Sequence, residues 1–418
     1  MSEKHQLERV VTIVCLIIAG EAVFSLPFHV ARFFRPTVLQ VFDFTNTELG
    51  AVQAAYGVVA MLAYFPGGPL ADRFPARRLL TGSLLCTSVG GLYFATFPGY
   101  RGMWLLFAYW GLTTILLFWA ALIRATREWG GPGKQGRAYG LLDGGRGLFA
   151  ALVAAGAVFV LQSLLPEDPT TATADERAEA LRNVILVYTA TTAGAGLLCW
   201  FFVPEREAPA SQRPPVLRNV GKVMRLPGVW LQAIIVVSAY VGYKGIDNYS
   251  LFAVQAYGMN EVEGAQVTAI SAWVRPVAAV AAGLLGDRIT ASRVSALCFA
   301  AMVASYLWFG LTEPVPSTRW VLYANVLVSC AAVFGLRGVY FALFEEGSVP
   351  IEATGTAVGL VSVIGYTPDV FVALVGGWLL DRSPGVAGHQ HFFLFLGTFA
   401  AIGLLASLRF QTVQPSLP

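Results

Sequence analysis

GGPLADRFPARR (67–78) closes one apolar stretch and precedes the next, and a weaker copy, AGLLGDRITASR (282–293), does the same later in the chain. In both, small residues lead into Asp-Arg: Asp72-Arg73 and Asp287-Arg288. The motifs stand 215 residues apart (287 minus 72), about half of 418. The chain therefore reads as two related halves. A duplicated polytopic membrane protein usually places its binding site between such halves.

Composition agrees. Hydrophobic residues make up 56% and charged residues 13%, with mean hydropathy +0.63; soluble domains carry roughly 25% charge. Apolar runs long enough to span a bilayer recur along nearly the whole sequence. They lie near 10–34, 48–70, 79–98, 102–123, 138–163, 183–203, 229–257, 264–286, 294–312, 320–344, 354–380 and 391–409. This predicts an all-α membrane protein of about twelve transmembrane helices. The first span is too long for a signal peptide and contains Glu21, His29 and Arg32, so it is expected to remain in the mature protein. A six-helix bundle is expected over 1–203 and another over 229–418. The polar, proline-bearing segment 204–228, with Pro204, Pro209, Pro214 and Pro215, reads as a linker.

Base is concentrated in alternate loops: Arg73, Arg77 and Arg78; Arg124, Arg127, Lys134 and Arg137; Arg206, Arg213, Arg218, Lys222 and Arg225. The opposite loops carry Glu167, Asp168, Asp175, Glu176, Glu261 and Glu263. The positive-inside rule then places both termini and the linker in the cytoplasm. The acidic loop with Glu345, Glu346 and Glu352 is a tolerated exception, because acidic residues weigh little in that rule. The five cysteines (Cys15, Cys86, Cys199, Cys298, Cys330) fall inside apolar spans without ligand spacing, so they read as small buried hydrophobes. No metal or cofactor is expected. No nucleophile–base pair stands out, and Gly130, Gly131 and Gly133 lack the Lys-Ser/Thr of a phosphate loop. An enzyme is not expected, nor is a nucleic-acid partner, because the basic residues are not gathered in one soluble domain.

The motif offset serves as a ruler. It sets Glu48 on Glu263, Phe34 on Tyr249, Phe28 on Tyr243 and His29 on Lys244. Each half thus carries an aromatic-basic pair at one depth of its first helix, and His29 and Lys244 are expected to face each other near the midplane. A lysine at the bilayer centre costs roughly 2.5–3.5 kcal/mol on insertion scales, so Lys244 should face a cavity or a partner. Asp247, at i+3, is one candidate partner. Tyr240, Tyr243 and Tyr249 give the same helix a ligand-type lining. Arg275, beside Trp273, and Arg32 complete the expected substrate site. Glu21, near the middle of its span, is the proton-coupling candidate, since a buried carboxyl can take up and return a proton. Further intramembrane charges are Asp143, Arg146 and Arg337. Deep cations outnumber deep carboxylates (Glu21, Asp143, Asp247), which favours an anionic ligand. Arg146 and Arg337 could equally lie low and snorkel, and a structural Lys244–Asp247 pair is the competing reading of Lys244.

The repeat resembles the signature of the major facilitator superfamily through Gly68, Asp72, Arg73, Arg77 and Arg78, with Pro75 where that family usually has Gly. The likeness extends over length, spans, halves and linker. It implies two pseudo-symmetric six-helix bundles and a transporter that rocks about a midplane site. It also implies a cytoplasmic gate made of Gly68, Asp72, Arg73, Arg77, Asp287 and Arg288. Within the superfamily, the chain looks like sugar-phosphate and organic-anion permeases at His29 and Tyr243-Lys244. FTNTELG, YFPGGPLADRF and IGYTPDVF resemble bacterial YihN-type permeases. The expectation is a monomeric secondary transporter of a small organic anion in the inner membrane, with protons as a coupling ion. The alternatives are a carrier of neutral or cationic compounds, whose buried charges pair internally, and a receptor that has kept the transporter fold.

Overall fold

The computed structural model describes residues 3–130, 135–205, 221, 224–347 and 351–413, without the side chains of 3–5, 72, 135–137, 345 and 351–356. Lys134, Gly131, Gly133, Arg206, Arg213, Arg218, Lys222, Pro209, Pro214 and Pro215 therefore lie outside the described residues, as do the side chains of Asp72, Arg137, Glu345 and Glu352.

The described chain is helical throughout. Eleven helices are long and apolar enough to cross a membrane: Gln6–Phe33 (α1), Asn46–Ala71 (α2), Tyr100–Gly130 (α4), Ala138–Leu164 (α5), Ala174–Phe202 (α6), Pro227–Tyr257 (α7), Glu261–Ile289 (α8), Ala291–Leu311 (α9), Pro316–Val339 (α10), Ala357–Arg382 (α11) and Val386–Val413 (α12). Ala76–Phe94 (α3) completes the set of twelve. It is 19 residues long and less apolar, with Arg77 and Arg78 at its start and several Ser, Thr and Gly residues within. The expected positions hold, and α1 continues past a break at Phe34 into a short helix, Arg35–Phe42.

The repeat is visible in backbone hydrogen bonding. Thr45 and Glu48 form a capping box at the start of α2, and Asn260 and Glu263 form the same box at the start of α8. Each box satisfies two orphan N–H groups by side chains. Both pairs obey the 215-residue offset.

The starts of α1 and α3 and the ends of α4 and α6 border one hollow (Arg9, Ala76, Trp129, Val203), and Pro227 and Val413 border another. We call this the terminal end and the opposite one the far end. The halves are joined at the far end. Thr37 donates to Glu261 at 2.9 Å, Arg177 pairs with the same carboxylate, and Asp381 accepts from the backbone N–H groups of Asn46 and Thr47 at 3.1 and 2.7 Å. Helices α2 and α11 approach so closely that a Cβ on Gly50 or Gly57 would strike the backbone of Ala373 or Asp369. Small residues are what let two helix backbones meet in a membrane. Val262, Ala265, Ala269 and Ala272 of α8 pack into the core of the first half, whereas Ala282 belongs to the core of the second. The bonds and ring contacts seen between the halves run from the far end to the level of Tyr64 and Asp143.

Cys15, Cys199 and Cys330 are buried, but Cys86 is exposed and Cys298 partly so. The expectation of five buried cysteines is corrected for these two. Both sit on helices with apolar outer faces, where lipid tolerates a weakly polar thiol.

Candidate functional site

Two irregular turns shape the centre of the molecule. Ser25–His29 in α1 and Ile115–Trp119 in α4 are single π-helical turns. Pro27 explains the first, since it has no N–H and its ring crowds the preceding carbonyls. Such turns often mark functional sites. Here they deliver Phe28, His29, Ile115 and Trp119 to one cavity between the halves. Its wall is aromatic, with Tyr56 and Tyr64 from α2, Tyr240 and Tyr243 from α7 and Tyr366 from α11. Glu21, Arg146, Lys244, Arg337 and Asp369 bring charge to it.

Behind the wall these charges form a network. Glu21 accepts from Arg146 Nε at 3.1 Å and Arg275 Nη1 at 3.1 Å, with His29 Nε2 at 3.4 Å. Arg275 also donates to Asp143 at 2.8 Å, so α8 of one half is tied to α1 and α5 of the other. Asp247 takes Arg32 Nε at 2.5 Å and Lys244 Nζ at 3.2 Å. Lys244 reaches Asp369 Oδ1 at 3.4 Å, and Asp369 accepts from the Tyr240 hydroxyl at 3.0 Å. Arg337 differs. Its guanidinium lies 4.2 Å from the Tyr243 ring centre and 6.0 Å from that of Tyr240, and it forms no ion pair with a described residue. Its Nη1 is buried without a partner.

A profile of the Major Facilitator Superfamily matches residues 17–367. The chain belongs to the major facilitator superfamily. It is 26% identical over 426 residues to the inner membrane protein YqcE of Escherichia coli (strain K12), covering 99% of this chain and 96% of that one. It is 25% identical to the inner membrane protein YihN of the same organism, covering 94% and 93%. Among solved structures, a D-xylose–proton symporter superposes with a TM-score of 0.77 over 97% of each chain at 15% identity. The protein is thus a multi-pass membrane protein of the superfamily's fold.

Several expectations about individual residues need revision on this superfamily scaffold. His29 and Lys244 both line the cavity but do not meet, because His29 is held by Glu21 on its own helix and Lys244 by two aspartates. The pair that faces across the halves is Arg32 and Asp247. Arg32 and Arg275 lie outside the cavity lining and are spent on carboxylates. Trp273 is 45% exposed on the outer surface of α8, one side away from Arg275, and does not line the cavity. Tyr249 is buried and bonded to Ser329 at 2.7 Å. Tyr240 and Tyr243 line the cavity as placed by sequence, and Arg146 and Arg337 do so too instead of snorkelling.

The signature motif sits at the terminal end. A Cβ on Gly68 would meet nothing within 4 Å. Arg77 packs over Trp200 at 4.8 Å, and Arg78 pairs with Glu205 at 2.5 Å. Arg73, Asp287 and Arg288 are exposed. Sequence reasoning missed Asp369, Trp119, Tyr64 and Tyr366. The offset sets Asp369 on Ala154, so the repeat gave no cue, and only the folded packing brings Asp369 to Lys244.

Proposed function

We propose that this chain is a secondary active transporter of small organic anions that binds its substrate in the central cavity. The observation that carries this is Arg337: a guanidinium at the cavity wall with no carboxylate partner among the described residues and a buried, unpartnered nitrogen. An unpaired charge away from water is costly, and a planar carboxylate or phosphate ester would fit its donor fork. Lys244 would add a second, partly shared donor. The wall aromatics would hold the body of the ligand.

The halves 1–203 and 229–418 would rock about the linker 204–228 and expose the cavity to each side in turn. By the positive-inside rule the terminal end would be cytoplasmic, and a cleft open at that end would make this conformation inward-facing. The names of YqcE and YihN support an inner-membrane location. The motif residues Gly68, Asp72, Arg73, Arg77, Asp287 and Arg288 would form the gate at that end. Glu21 is the coupling carboxylate of choice, because protonating it would loosen Arg146 and Arg275 together and so free a tie between the halves. The protein would act as a monomer.

The test is uptake into proteoliposomes of carboxylated and phosphorylated solutes, with and without a proton gradient. Loss of uptake in Arg337→Gln with normal insertion supports the assignment; unchanged uptake overturns it. A second reading, a carrier of neutral solutes, draws on the internal pairing of the other four deep cations. It requires that uptake of uncharged sugars exceed that of every anion.

A further inference from the structure

We infer that the cavity is charge-matched to a singly charged anion, and not to a phosphate ester carrying two charges. The inference rests on the anion-transport reading above and narrows it to one class.

The network contains five permanent cations: Arg32, Arg146, Lys244, Arg275 and Arg337; the buried Arg35 belongs to the far end, where Asn46 links it to Asp381. It contains four carboxylates: Glu21, Asp143, Asp247 and Asp369. Each carboxylate has a cationic nitrogen within 3.4 Å; the Asp369–Lys244 contact is the longest, and Asp369 Oδ1 has no hydrogen-bond partner of its own. All four are taken as ionised. His29 adds no charge. Its Nε2 faces Glu21, while its Nδ1 is buried with no hydrogen-bond partner. A neutral ring leaves that atom an idle acceptor, whereas an imidazolium would bury an unsatisfied N–H. Among the described residues the surplus is one positive charge, and it resides on Arg337, the cation of this network for which they supply no ion pair. A monoanion closes the balance when the cleft shuts around it. A dianion would leave one uncompensated negative charge in a water-poor space, and a neutral solute one positive charge; either is expensive there.

The surrounding rings suit such a ligand. Phe24, Phe28, Trp119, Tyr64 and Tyr366 line the cavity together with Arg337. The Tyr240 hydroxyl donates to Asp369 and that of Tyr56 pairs with Thr114, whereas the Tyr243 hydroxyl accepts from Arg32 and keeps its own O–H. The wall therefore offers flat aromatic faces together with a tyrosine hydroxyl, a lining that suits an aromatic ring or a sugar ring. The class is a carboxylate or sulfonate on a ring.

The experiment is a thermal-shift titration of the purified full chain in detergent at pH 7.5, since a ligand of the folded state raises apparent stability by mass action. The probes form two matched series: glucose, glucuronate and glucose 6-phosphate; benzyl alcohol, benzoate and phenyl phosphate. At this pH the phosphate esters are nearly doubly charged. The expected result is that, in at least one series, the carboxylate binds at least tenfold more tightly than its neutral and phosphorylated analogues. Asp143→Asn and, independently, Asp369→Asn raise the surplus to two and should move the preference to the phosphate ester. Arg337→Gln removes the surplus and should move it to the neutral member. A wild-type preference for the phosphate esters overturns the charge match but leaves anion transport standing. A preference for the neutral members overturns both, as does no stabilisation by either carboxylate. An unchanged rank order in all three variants overturns the charge match alone.

Discussion

Arg32 and Asp247 stand 215 positions apart and bond to each other at 2.5 Å. That separation is also the offset between the two Asp-Arg motifs, so the residues are repeat mates. Equivalent residues of two related halves meet only where the halves face each other across their shared axis. The aromatic mates follow suit. Lys244 of the second half lies 4.5 Å from the Phe28 ring of the first, and Arg32 of the first lies 4.6 Å from Tyr243 of the second. Each half supplies an aromatic face for a cation of the other.

This pair should help hold the far end shut. Asp247→Asn leaves Arg32 and Lys244 short of a carboxylate; breaking a buried pair costs about 3–5 kcal/mol. The expected outcome is a lower melting temperature together with weaker cross-linking between cysteines placed at Thr37 and Glu261, whose side chains now bond at 2.9 Å. The swap Arg32→Asp with Asp247→Arg should recover part of both. Equal melting temperatures for wild type and Asp247→Asn would contradict the role.

Arg337→Lys and Arg337→Gln should separate charge from geometry. A hydrogen bond to a charged group contributes about 1.5–3 kcal/mol, so Arg337→Gln should weaken ligand binding by about tenfold to a hundredfold. Arg337→Lys keeps the charge but loses the planar fork and should fall between. Binding constants from the thermal-shift titration check this.

Glu21→Gln should be the most damaging single change in the network, because three basic groups converge on that carboxylate. Arg146 and Arg275 would be left undercompensated, at a cost of about 3–5 kcal/mol. Low yield of monodisperse protein and a depressed melting temperature are expected. In the fraction that folds, uptake should lose its response to a proton gradient; a retained response would remove Glu21 from coupling.

Gly57→Val should act through Asp369. The added side chain would press on the backbone of residues 369–370, push α11 from α2 and draw Asp369 from Lys244. Reduced stability and weaker ligand binding should appear together. Gly68→Val, where nothing stands within 4 Å of the added Cβ, should leave the unfolding free energy within about 0.5 kcal/mol of wild type, the range typical of substitutions away from packed features. Circular dichroism melts of both variants provide the comparison.

The sequence by itself determined the number and placement of the helices and the duplication. Those features follow from local rules: a span must be apolar and long enough for the bilayer, a helix start needs its caps, and a repeat keeps its register. It named Lys244, Tyr240, Tyr243 and His29, all of which line the central cavity. The tertiary structure decided which charges are paired and which is left over. Asp369 has no repeat mate of its kind, yet the close approach of α2 and α11 brings it beside Lys244, and Arg275 turns away from the cavity to Glu21 and Asp143. Pairing depends on the rotation and separation of helices far apart in sequence. Those are set by where small residues let backbones meet and where π turns shift the register, and a linear pattern of polar and apolar residues does not encode them.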